Sequence, residues 1–392
     1  MNILFFWTIP FKNAGGVGAV TAKLAQEFIK RNFCVHYLSS GTGDSYEDYG
    51  VTQSFFPAAA ASDKNAGISF FRKYITDHNI GVIINQSGID ISTLKIIDAA
   101  QLTGVKVISV HHNCITCLQE NYVHIIKESL KDKIYFPLIN NYFGIRILKY
   151  LNKKKYRVFF EYLVAKSDKL VLLSKHFIPE LNTYLNHFPE EKVTGIPNPA
   201  SFDIAENAES KKENRIIYVG RIEYVQKQVN LLLDLWKMIS AQHPGWHFDI
   251  VGEGSALVGL KQRAINENLQ NIYFYGQQDP RPFLEKAKFF TMTSSFEGFG
   301  MVLVEAQAYA AVPFAFNCFS AIEDVIKNMK DGVIIKPFDL NEYALTLSAF
   351  MKNESLRQEM AINAQRAVGK YHVEKVANNW ISLFESIKKN KV

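Results

Sequence analysis

Glu297 and Glu305 stand eight positions apart in SSFEGFGMVLVEAQAYAAVP, Ser294 to Pro313, an otherwise apolar stretch interrupted by Gly298 and Gly300. The preceding FFTMTSS reads as a strand and MVLVEAQAYA is rich in helix formers, so Glu297 falls in a loop and Glu305 in the second turn of a helix. At the start of that helix the N–H groups of Gly300, Met301 and Val302 form an anion site that the helix dipole favours. A carboxylate one turn further along is placed to accept ribose hydroxyls beside the anion. Two glutamates solvated on a surface helix fit poorly here, because Phe296, Phe299, Met301 and Leu303 crowd around them.

Cations that could meet the same anion occur upstream. YVGRIEYVQKQVNLLLDLW puts Arg221 just after a strand and Lys227 just before a helix whose buried face is Val229, Leu232, Leu233 and Trp236. An arginine grips a diphosphate bidentately and a lysine acts on it as a point charge. Taken alone, the pair also fits an ordinary solvated surface. In the first half, Gly15, Gly16 and Gly18 of NAGGVGAV follow a strand and open a helix with Val17, Val20, Leu24 and Phe28 on its apolar face. Such a loop allows close backbone approach to a ligand at a helix N-terminus. It is not the loop of a nicotinamide dehydrogenase: the spacing fits G-x-G-x-x-G poorly, and the second strand ends in Ser39 and Ser40 with no acidic residue for a ribose. VKVISV delivers His111 and His112 to a strand end. The HHNCITC run lacks the second ligand pair of a zinc site, so no metal is expected there. Cys34, Cys114, Cys117 and Cys318 are expected as reduced thiols, without a disulfide framework.

The elements that must position these residues can be read from periodicity. Short β-branched or aromatic runs alternate with helical patterns at ILFFW (Ile3), CVHYL (Cys34), VIIN (Val82), VKVISV (Val105) and KLVLLS (Lys169), the mark of a parallel sheet with crossover helices. A second series follows at IIYVG (Ile216), HFDIVG (His247), IYFYG (Ile272), FFTMTS (Phe289) and PFAF (Pro313). The charged stretch Asp203 to Arg215 between them reads as a linker. The 392 residues exceed what one core usually supports, so two α/β domains are expected, 1–200 and 201–370. A C-terminal helix, 371–392, has its apolar rhythm at Val376, Trp380 and Phe384 and could pack back on the N-terminal domain. Strands of the second series stop at Gly220, Gly252, Gly276 and Ser294, and ligands of open α/β sheets bind at such carboxyl ends.

The formal charge of +6 is unevenly spread: Lys127 to Lys175 carries twelve Lys/Arg against four Asp/Glu, among many aromatics. Such a segment suits an anionic membrane surface, while the alternative is two core helices joined by a solvated NKKKYR turn. Nucleic acid is not an expected partner, since no binding motif accompanies the charge. MNILFFWTIP reads as a buried strand rather than a signal peptide, and no apolar run reaches membrane-spanning length. The chain is therefore expected in the cytoplasm, peripheral to the inner membrane face if the basic segment docks there.

SSFEGFGMVLVEAQA resembles the glutamate, seven residues, glutamate signature of retaining nucleotide-sugar glycosyltransferases of family 4, the group 1 type, which includes bacterial lipopolysaccharide and capsule enzymes. GIPNP, VGRI with Lys227, VGEG and FYGQ occur in that family's order, so the resemblance covers nearly the whole chain. It implies the α/β GT-B fold, two doubly wound Rossmann-like domains facing each other across a cleft. It also implies transfer of a hexose or amino sugar, from a UDP-sugar in preference to a GDP-sugar, to a saccharide acceptor that is lipid-linked. Arg221 and Lys227, with Gly300, Met301, Val302 and Gly16, would bind the donor diphosphate, Glu305 the ribose and Gln277 the base. Glu297 would contact the donor sugar, and His111 or His112 would lie close to it. No D-x-D motif is present, and the two cations would stand in for a metal, so neither metal nor cofactor is expected. Where relatives have Gly after the lysine, this chain has Gln228, and FNCFSAIEDVI lacks their Gly-Pro or Gly-Gly. Rival readings are a sugar-nucleotide epimerase of the same fold and a catalytically silent nucleotide-binding partner.

Overall fold

A computed structural model describes residues 1–11, 15–48, 50–87, 94–116, 141–200, 203–206 and 208–389. Cys117 and the part of the basic segment at 127–140 lie outside the described residues. The chain divides into two compact units, residues 1–201 with 371–392, and residues 202–370.

The first unit contains β1 (Asn2–Trp7), α1 (Gly15–Lys30), β2 (Cys34–Ser39), β3 (Tyr46–Asp48), β4 (Val51–Phe55), α2 (Lys64–Asp77), β5 (Ile80–Asn85), α3 (Leu94–Gln101), β6 (Lys106–His111), α4 (Tyr142–Lys166), β7 (Lys169–Leu172) and β8 (Val193–Gly195). Its sheet runs β3-β4-β2-β1-β5-β6-β7-β8. The pairs are parallel except β3 with β4, a short antiparallel hairpin. Ile3, Leu4, Phe5 and Phe6 of β1 are all fully buried, as expected of a central parallel strand covered on both faces.

The second unit contains β9 (Glu213–Val219), α5 (Asn230–Ile239), β10 (His247–Val251), α6 (Leu257–Asn266), β11 (Ile272–Gly276), β12 (Ala287–Met292), α7 (Met301–Ala308), β13 (Val312–Phe316), β14 (Val333–Ile335), α8 (Leu340–Lys352) and α9 (Glu354–Val368). Its strand order is β11-β10-β9-β12-β13-β14, parallel throughout. Val229, Leu232, Leu233 and Trp236 are fully buried at α5.

The last helix, α10 (Val373–Lys389), returns to the first unit. Val376, Trp380 and Phe384 pack with Phe5, Val20 and Phe28, and the Phe28 and Phe384 rings lie 5.6 Å apart. Arg31, just past α1, donates to the Asn378 side chain and to the Glu374 carbonyl.

Three readings need correction. NKKKYR is not a turn: α4 runs unbroken through it for 25 residues, and beyond Gly144 in its first turn the helix holds no Gly or Pro and many good helix formers. The segment Asp203 to Arg215 is only partly a linker. A 3-10 turn occupies Ala208–Lys211, and β9 begins at Glu213. Lys212 there donates to the carbonyls of Leu284 (3.0 Å), Ala287 (2.7 Å) and Tyr309 (2.6 Å), and Arg215 pairs with the buried Asp249 carboxylate at 3.0 Å. Val17 also differs, since α1 starts at Gly15 and leaves Val17 half-buried in its first turn.

Candidate functional site

The second sheet reverses direction between β9 and β12, whose connections leave on either side of that pair. Open α/β sheets bind ligands at the carboxyl ends of the strands flanking such a switch. Arg221 follows β9 and Glu297 follows β12, so both charged loops emerge at this point.

The strand-end glycines line up beside it. Gly220 N–H donates to Val251 O at 3.1 Å, and Gly252 N–H to Gly276 O at 2.8 Å. Gly252 has φ 145°, and a Cβ there would stand 1.8 Å from the Gly220 oxygen, so only glycine fits. Gln277, next in line, is exposed.

Lys227 Nζ and Glu297 Oε1 are 2.6 Å apart, with side-chain exposures of 13% and 9%. Ser294 Oγ donates to the same Oε1 at 2.6 Å. Arg221 is mostly exposed; it donates to Gln226 Oε1 at 2.7 Å and pairs with Glu223 at 3.2 Å. Gln226 Nε2 in turn donates to Phe296 O at 3.1 Å. Thr293 Oγ1 donates to Lys227 O at 3.0 Å, and Ser295 N–H donates to Gln226 O at 2.7 Å. Thr293 and Ser295 thus fasten the glutamate loop to the lysine loop, and Ser294 between them holds the Glu297 carboxylate. Beneath them the Tyr218 hydroxyl donates to Arg221 O at 2.8 Å, and burial with nearby Glu297 raises its pKa well above 10, keeping it a donor.

Gly300 is the N-cap of α7, in the left-handed conformation at φ 73°. A Cβ there would come within 3.0 Å of Leu303 Cδ1 and 3.1 Å of Phe319 Cζ. Met301, Val302 and Glu305 are half-buried, and Glu305 lies in the second turn of α7. Gln228 adopts φ 50°, in the left-handed region that favours glycine, and its Nε2 donates to Val225 O at 3.1 Å.

In the first unit, β1 lies between β2 and β5, where that sheet reverses. Gly16 is exposed in the first turn of α1, after β1. His111, the last residue of β6, is buried edge-on against Phe160 of α4, their rings 5.4 Å apart. His112 lies beyond the strand, stacked on Trp7, with Nε2 2.6 Å from Gln86 Oε1. Gln86 Nε2 donates to Thr21 Oγ1 of α1 at 3.2 Å. With that amide assignment Nε2 of His112 carries the proton and Nδ1 is the acceptor. Burial lowers the pKa of both imidazoles, His111 to about 4 and His112 to about 3, the latter helped by its neighbour. Of the two, His112 is less enclosed and has its tautomer set by a polar chain.

The sequence reading missed Gln226, Thr293, Ser294, Ser295, Gln86 and Thr21. Position was the only signal for Thr293, Ser294 and Ser295, which adjoin the strand end singled out at Ser294, and Thr21, inside α1, carried none. Among the described residues, no group of three or more His, Cys, Asp or Glu side chains converges to hold a metal ion.

Solved glycosyltransferases share this architecture over the full chain. Anabaena Alr3699/HepE in complex with UDP superposes with a TM-score of 0.73 at 14% identity, covering 98% of this chain and 100% of that one. This is the GT-B class, with two Rossmann-like units. Residues 200–367 match the family Glycosyl transferases group 1. An uncharacterized glycosyltransferase of Haemophilus influenzae is 21% identical over 97% of this chain and 99% of its own length. A Campylobacter jejuni relative is 22% identical over 58% of this chain and 60% of its own; it is the GalNAc-alpha-(1->4)-GalNAc-alpha-(1->3)-diNAcBac-PP-undecaprenol alpha-1,4-N-acetyl-D-galactosaminyltransferase. Residues 200–367, most of the second unit, belong to the group 1 glycosyltransferases.

Proposed function

We propose that this glycosyltransferase moves a hexose or amino sugar from a UDP-sugar to a lipid-linked saccharide, with retention at the anomeric carbon. The observation that carries this reading is the Lys227–Glu297 pair beside Arg221 at the sheet reversal. Arg221 and Lys227 offset the charge that grows on the leaving diphosphate, a task a metal performs elsewhere, and no metal is required. The N–H groups of Gly300, Met301 and Val302 face the same anion, Glu305 accepts from the ribose hydroxyls and Gln277 meets the base. Glu297 contacts the sugar. In the first unit His112, neutral at physiological pH, contacts a saccharide hydroxyl, and the Gly16 backbone meets phosphate. UDP is favoured by the UDP complex of the Anabaena protein, and the lipid-linked acceptor by the undecaprenol named for the Campylobacter enzyme. Departure and attack on one face give an α-bond from an α-linked donor.

The basic segment supports placement at an anionic membrane surface. Helix α4 carries seven Lys/Arg and one Glu, with Phe143 (75%), Ile147 (59%), Tyr150 (66%), Leu151 (53%) and Val158 (57%) exposed. Among the described residues no helix is long and apolar enough to cross a membrane, so α4 would lie on it.

A thermal-shift titration with UDP, GDP and ADP, each with and without EDTA, tests the reading. Stabilisation by UDP that is indifferent to chelator is expected, and no shift with any of the three would overturn it. The anomeric coupling in the NMR spectrum of the product then decides retention.

A further inference from the structure

Two side chains hold one oxygen of Glu297, and they differ in what they can give up. Ser294 is fully buried; its hydroxyl meets Oε1 at 2.6 Å while its carbonyl accepts the Cys318 thiol at 2.8 Å. It is fixed at both ends. Burial and the nearby Glu297 raise the Cys318 pKa far above its usual 9.0, so that thiol stays protonated and keeps donating. Lys227 is fixed only at its backbone, through Thr293 Oγ1, and its ammonium reaches Oε1 on a flexible four-carbon stem. That stem can swing while the loop beneath it stays in place.

We propose that Ser294 is a positioning residue for Glu297 and that the Lys227–Glu297 contact is exchangeable. An arriving diphosphate competes with the carboxylate for the Lys227 ammonium, and Ser294 retains Glu297 at the sugar when the ammonium moves. The proposal rests on Lys227 being a diphosphate ligand. The diphosphate as a whole carries more charge than one carboxylate and is met by Arg221 as well, so the exchange runs toward the ligand. Glu297 thereby acts as an internal competitor that keeps the ammonium aligned until the donor arrives. The exchange is local: one lysine side chain changes partner, and no bond of the Thr293–Ser295 stitch need break.

The test is isothermal titration of UDP into the full-length chain and its Glu297→Gln, Lys227→Ala and doubly substituted forms. Glu297→Gln should bind UDP about five-fold more tightly than the parent, whereas in the Lys227→Ala background the same change should alter affinity less than about two-fold. No tightening in the single variant overturns the exchange. Equal tightening in both backgrounds also overturns it, because that is plain repulsion between carboxylate and diphosphate. Failure of the parent chain to bind UDP, GDP or ADP would be a different result and would remove the donor-site reading itself.

For Ser294→Ala, kcat should fall about ten-fold with the donor KM and UDP affinity unchanged, and Ser294→Cys, a weaker donor of similar size, should recover part of it. Equal losses in both variants, or a change in KM alone, would mean that Ser294 only packs.

Discussion

The two sheet reversals of this molecule are built from opposite materials. In the second unit, charge is brought to the strand ends and held there: Lys227 on Glu297, Arg221 on Glu223 and Gln226, with hydroxyls fastening the loops. In the first, the strand ends offer neutral groups, an imidazole against Trp7 and an amide chain to Thr21, while the cations lie outside on α4. The difference fits two kinds of ligand. A diphosphate is constant and strongly charged, so it rewards fixed counter-charge; a saccharide is uncharged and varied, and is met by hydrogen-bonding groups and an aromatic face.

The comparison breaks most sharply at Lys227. Lys227→Ala should lower turnover by about 100-fold or more, measured at saturating donor, since the proposed role of its ammonium is to offset charge on the leaving diphosphate. Retained turnover would remove charge as the organising feature of the second unit. Reversing the outer cations, Lys153, Lys154 and Lys155 to Glu, should weaken sedimentation with anionic vesicles by about 100-fold, from about 1 kcal/mol for each lysine. Unchanged binding would make α4 a solvated surface. Glu305→Ala should weaken UDP binding by about ten-fold, the loss of hydrogen bonds to a charged acceptor, measured by titration.

The neutral histidines give an effect on stability rather than on binding or turnover, and it depends on pH. Unfolded histidine takes up a proton as pH falls through 6.5, while His111 folded does so only near 4, so stability is lost between those values on acidification. His111→Gln should remove roughly 3 kcal/mol of that loss, seen as a flatter pH dependence of urea midpoints. An unchanged slope would mean that His111 is charged in the fold. Smallest is Gln228→Gly, which should raise stability by about 0.5 kcal/mol, because relief of the left-handed φ slightly exceeds the added chain entropy.

Much of the second unit was legible because its signals are local. Strand ends carry glycines that close backbone approach demands, as at Gly252, and the two glutamates sit in one short stretch. The stitch between the loops was not, since Thr293 and Lys227 are 66 positions apart and nothing in a serine or threonine says which carbonyl it will reach. Strands β3, β8 and β14 are three residues each, too short for a period-two pattern. The alternative of a solvated NKKKYR turn fails because its residues favour a helix and Asn152 turns inward. Lys212 hid in a polar run, and only the fold reveals three carbonyls around its ammonium.

Helix α10 ties the first unit together across a gap of more than three hundred residues, with Phe384 against Phe28. During synthesis, then, the opening strands leave the ribosome long before the helix that completes their core, and the whole second unit is made in between. Residues 202–370 can reach their final form first, while the earlier-made half waits with Phe28 and Phe33 uncovered. The half of the chain that is translated first is the half that finishes folding last.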